Sequence, residues 1–69
     1  MGKGIIRTIL FSRESDNSLI EIRVSKDSVV TEKSDGSIIK KSFLSKKLLT
    51  RYIRLRTRLY EKGGYKKEL

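Results

Sequence analysis

The spacing of apolar side chains changes once along this chain, and that change constrains the fold more than any other feature. Up to Lys41 they come in short runs. The clearest is Leu19 to Ser25, where Ile20, Ile22 and Val24 point one way and Glu21 and Arg23 the other, the two-residue period of a strand. Beyond Ser42 they recur every three or four residues, without a proline, as far as Gly63-Gly64. That is the period of a helix, ended by a residue that adopts the left-handed conformation freely. The order predicts an α+β fold: a small antiparallel β-meander of three to four strands, residues 4–41, packed against one C-terminal amphipathic helix, residues 43–62. Residues 63–69 are expected to form a mobile basic tail, and residues 1–69 a single domain.

Local signals fill in the meander. Gly4 to Ser12 is rich in Ile with Thr, Leu and Phe, a composition of high β propensity; Arg7 shares one side of it with Ile9 and Phe11. Ser15, Asp16, Asn17 and Ser18 form a turn-like polar cluster, and Lys26-Asp27-Ser28 a second connection before the strand Val29 to Lys33. Asp35-Gly36 is the strongest hairpin signal. A two-residue type I′ turn there pairs Lys33 with Ile38 and Glu32 with Ile39, making Ile38 to Lys41 the fourth strand.

On the helix, Ser42 and Ser45 are the N-cap candidates. Leu44, Leu48, Tyr52, Leu55 and Leu59 fall within about 80° of one another at 100° per residue, the row expected to face the sheet. Leu49, Ile53 and Tyr60 widen that row, with Arg56 between the two sets. A chain of 69 residues with no Cys and no His has neither disulfide nor zinc to support a small core. The expectation is therefore a homodimer through Leu49, Ile53 and Tyr60.

Charge is distributed as unevenly as hydrophobicity. The net charge is +9, yet residues 1–34 hold six basic and five acidic side chains and are nearly neutral. Between Lys40 and Arg58 there are eight basic residues and no acid. Lys47, Arg51, Arg54 and Arg58 recur at helical spacing within about 60° of arc at 100° per residue, where like charges oppose helix formation unless an anion relieves them. Guanidinium forks suit phosphate oxygens, so these four, with Lys40 and Lys41 from the hairpin, are the candidate nucleic-acid-binding residues. Lys66 and Lys67 extend the patch, and Tyr65 either stacks on an unpaired base or folds back on the apolar edge. The open face of the sheet, with Arg7, Arg23 and Lys40, is the alternative location.

The inventory for other functions is thin. Without His or Cys, and without a glycine-rich phosphate loop, there is no candidate catalytic residue, metal site or cofactor, and no small-molecule substrate is implied. The absence of Cys and of a long apolar run suits a cytoplasmic or nucleoid-associated protein that spans no membrane. The stretch Ser18-Leu19-Ile20-Glu21-Ile22-Arg23 and the element order resemble the positive cofactor four family of single-stranded DNA-binding dimers, whose second strand carries a similar aliphatic-acid-aliphatic-Arg run. The resemblance implies a layout only; no site residue is taken from it. Small basic integrase arm-binding domains have a comparable layout of strands and a helix.

Together these features point to a small basic accessory or regulatory protein, not an enzyme, that binds DNA or RNA mainly through phosphate contacts. The alternative is a protein-binding modulator or inhibitor that docks its basic helix on an acidic partner. Attachment to anionic membranes is a third reading, weakened by the lack of Trp and Phe on the helix.

Overall fold

The computed structural model describes residues 6–68. Gly4 and Ile5, at the expected start of the first strand, and Leu69, at the end of the expected tail, lie outside the described residues. The elements are β1 (Arg7–Arg13), β2 (Ser18–Val24), β3 (Ser28–Lys33), β4 (Ile38–Ser42), α1 (Lys46–Lys62) and β5 (Lys66–Glu68). One antiparallel sheet runs β4-β3-β2-β1-β5. The α+β class and the four-stranded meander are as expected, and β5 adds a fifth strand.

That fifth strand corrects the expectation of a mobile tail. Lys66 to Glu68 pair with β1, placing Leu10 opposite Glu68, Phe11 opposite Lys67 and Ser12 opposite Lys66. The turn that brings them there is built into the helix end. Gly64 takes φ +96°, its N–H donates to the Glu61 carbonyl (3.1 Å), and the Tyr65 N–H donates to the Tyr60 carbonyl (3.1 Å), the paired bonds of a Schellman cap. Tyr65 then lies against Tyr60, ring centroids 6.0 Å apart, beneath the Arg13 guanidinium at 4.4 Å. Arg13 also donates to the Gly63 carbonyl (2.9 Å) and to both carboxylate oxygens of Asp16 (3.1 and 2.8 Å). One side chain thus ties the β1–β2 turn to the end of α1. Its hydrogen bonds hold the Asp16 carboxyl well below the usual carboxylate range.

The β3–β4 hairpin also departs from expectation, by one residue. Glu32 faces Ile38 and Thr31 faces Ile39. The Gly36 N–H donates to the Lys33 carbonyl (2.9 Å), the Lys33 N–H donates to the Ser37 carbonyl (2.9 Å), and only Gly36, at φ +95°, is left-handed. This is a three-residue loop with Ser34 and Asp35 at the centre of the turn and Gly36 as a bulge. The Asp35 carboxylate accepts the Ser37 N–H at 2.8 Å, which favours this loop over the two-residue form.

The helix begins at Lys46, capped by Ser45, whose hydroxyl accepts the Leu48 N–H at 3.2 Å. Its azimuth is the main correction. The core consists of Ile9, Phe11, Ile20, Ile22, Val24 and Val29 from the sheet with Leu49, Ile53 and Tyr60 from α1, and Phe11 meets Tyr60 edge-on at 5.4 Å. Of the row expected to face the sheet, Leu44, Leu48, Leu55 and Leu59 are exposed, and only Tyr52 packs partly against the core, beside Phe43. Because Leu49, Ile53 and Tyr60 are core, they are not available as contacts between two copies. The two apolar rows offer similar burial, about 1.5–3 kcal/mol for each large side chain; the rotations differ in which cations they turn toward the sheet, and Arg56, between the rows, stays half-buried on the Tyr52 ring in the observed one. Facing the leucines inward would bring Arg51 and Arg58 within about 80° of the sheet-facing direction, counting 100° per residue, where desolvation of unpaired charge is costly. With the observed rotation Arg51 and Arg58 stand opposite the core.

Candidate nucleic-acid interface

Three local features open a groove between α1 and one side of the sheet. Arg7 begins β1 opposite Val24 and shares the helix-covered face with Ile9 and Phe11. Lys67, opposite Phe11, shares that face from β5. At the other end the Phe43 N–H donates to the Asp27 carbonyl (2.8 Å), drawing the start of α1 to the β2–β3 turn. Lys46 and Lys26 therefore line the same groove, and Arg54 and Arg58 complete it from the helix.

The groove has a volume of about 560 Å³. Val24, Leu49 and Ile53 supply apolar wall, and Ser25, Thr50 and Thr57 add hydroxyl donors. Among the described residues no carboxylate lines it. The ion pairs among the described residues use only two bases: Arg13 with Asp16 at 2.8 Å, and Arg23 with Glu21 at 3.2 Å and Glu32 at 3.1 Å. The groove therefore gathers six cations beside low-dielectric walls, with no counter-charge among its described lining residues, an arrangement that concentrates positive potential.

Of the residues expected from sequence, Arg54 and Arg58 line the groove, while Lys47 and Arg51 continue the basic surface over the exposed crest of α1. Lys40 and Lys41 do not join it. They lie on β4, the edge strand at the opposite side of the sheet from β5. Tyr65 folds back on the core. The open sheet face does not assemble a basic site either, since Arg23 there is held between two glutamates, which push its already high pKa further up, and Arg7 belongs to the other face. Sequence reasoning missed Arg7, Lys26, Lys46 and Lys67 as a group because four different segments contribute them. The one available signal was the side that Arg7 shares with Ile9 and Phe11.

Among the described residues no three His, Cys, Asp or Glu side chains gather as metal ligands would, and no helix is long and apolar enough to cross a membrane. No family model matches the chain, and neither do curated proteins or solved structures.

Proposed function

We propose that this protein binds DNA or RNA as a non-enzymatic accessory or regulatory factor, chiefly through phosphate contacts. The observation that carries the reading is the groove lined by Arg7, Lys26, Lys46, Arg54, Arg58 and Lys67, with no carboxylate among its described lining residues. Its continuation over Lys47 and Arg51 makes one basic surface, while the acids Glu21, Glu32 and Glu68 lie on the open sheet side, Glu21 and Glu32 opposite each other and paired with Arg23, and Glu68 opposite Leu10. A polyphosphate backbone is the abundant cellular ligand that offsets such a surface. Few Asn or Gln side chains exist to read base edges, so phosphate positioning dominates over base readout.

The test is a binding titration against duplex DNA, single-stranded DNA and RNA at several salt concentrations. Neutralising about four to six phosphates gives a slope of log K against log salt of roughly −4 to −5 on duplex DNA. Replacing Arg7 and Lys26 with Gln is expected to make that slope shallower by about two. No binding at low salt, or a slope near zero, overturns the proposal.

A further inference from the structure

Beside the basic crest, α1 carries a largely exposed apolar row that phosphate binding does not use. Leu48, Tyr52, Leu55 and Leu59 follow one another at intervals of four, three and four residues, the a and d spacing of a heptad seam. Leu48, Leu55 and Leu59 are 49%, 56% and 54% exposed, and Leu44, ahead of the cap, is fully so. In that heptad Arg51 and Arg58 occupy g positions and Arg56 an e position. Arg56 is held there by its guanidinium lying 5.5 Å from the centre of the Tyr52 ring, and Tyr52 is braced in turn by Phe43, ring centroids 5.1 Å apart. The seam is therefore a preformed apolar strip with arginine along both borders.

We infer that this seam docks an amphipathic helix of a partner protein that carries apolar a and d residues and acidic side chains at e and g. The border charges select the occupant, because residues at e and g set partner choice in helix pairing. A second copy of this chain is the wrong partner. In a parallel pair Arg51 would meet Arg56 of the other copy, and in an antiparallel pair Arg51 would meet Arg58, so like charges oppose both arrangements. A lipid surface fits poorly as well. The four seam residues span only about 60° at 100° per residue, against the apolar arc of roughly 100° on a helix that buries a whole face, and the strip holds neither Trp nor Phe.

The test uses labelled three-heptad peptides with Leu at a and d, one with Glu and one with Lys at e and g, followed by fluorescence anisotropy on the full chain. The Glu-bordered peptide is expected to bind at least about tenfold more tightly than the Lys-bordered one, and Leu48→Gln with Leu55→Gln to abolish that binding. Arg51→Glu with Arg58→Glu should reverse the preference, a readout that leaves the leucines intact. Equal binding of the two peptides, binding of neither, Leu55-dependent dimerisation in sedimentation, or Leu55-dependent capture by phosphatidylserine vesicles each overturns the inference. The seam shares Arg51 and Arg58 with the proposed nucleic-acid surface but is separable from it: Lys26→Glu with Lys46→Glu should weaken duplex DNA binding and leave the peptide affinity unchanged. Either activity can therefore fail alone.

Discussion

The two apolar rows of α1 differ little in composition and sharply in fate, Tyr52 alone of the outer row packing partly on the core. Leu49, Ile53 and Tyr60 are buried against the sheet, while Leu48, Leu55 and Leu59 face water. Hydrophobicity alone does not separate them. Their charged neighbours differ: the exposed leucines border Arg51 and Arg58, which stand opposite the buried row, and Arg56 lies between the two rows. The face that packs is the one that leaves Arg51, Arg54 and Arg58 exposed.

The most forceful way to break this comparison is to truncate one residue from each row. Ile53→Ala is expected to destabilise by about 2–5 kcal/mol, and Leu55→Ala to change stability by no more than about 0.5 kcal/mol, both read from urea denaturation. The reverse ranking would mean that α1 packs the other way round. A second variant sharpens the role of the charges. Arg51→Glu, Arg54→Glu and Arg58→Glu together should leave the melting curve in place, since all three side chains are exposed, yet reduce duplex DNA affinity by about 100-fold or more at low salt. Unfolding of that variant would show that the arginines support the fold.

Smaller effects come from the clamp that follows the helix. Gly64→Ala places a Cβ at φ +96°, 3.3 Å from Cδ of Arg13, and left-handed backbone costs an L-residue about 1–2 kcal/mol. Gly63→Ala, at φ −82°, should cost less; equal losses in thermal melts would remove the cap from the account. The smallest effect is that of Asp16. Its carboxyl titrates well below its ordinary range because Arg13 and Ser18 hydrogen-bond the ionised form, so the stability it contributes is present above pH about 4 and lost on acidification below it. Asp16→Asn is expected to lower Tm at neutral pH slightly and to flatten the acid side of the Tm profile. An unchanged acid limb would place that dependence elsewhere.

Legibility in the sequence followed the range of the interactions. The clean alternation of Ile20, Ile22 and Val24 and the glycine stop are local, and each marks its element correctly; of the two cap candidates, Ser42 and Ser45, the helix uses Ser45 and so starts at Lys46, later than residue 43. The β3–β4 register was not legible, because Asp-Gly serves a type I′ turn and a bulged loop alike, and the side-chain bond from Asp35 to Ser37 separates them. Nor was β5. Lys66-Lys67-Glu68 has no apolar alternation, and its pairing with β1 depends on a helix end that first turns the chain around. At the site, Arg54 and Arg58 were visible as part of a helical repeat, whereas the other groove cations meet only through the fold.

The two free edges of the sheet show what Lys40 and Lys41 contribute away from the groove. β4 and β5 are the outermost strands, and each leaves a row of backbone groups unpaired, a template on which another chain can extend the sheet. One edge carries Lys40 and Lys41, and the other is Lys66, Lys67 and Glu68. An incoming strand would have to approach lysines on either side, and desolvating them opposes the growth of a β-ladder. Both borders of the sheet are thereby guarded against aggregation. Replacing Lys40 and Lys41 with Thr and Val would leave the Ile38-Ile39 end of β4 as an open, uncharged edge.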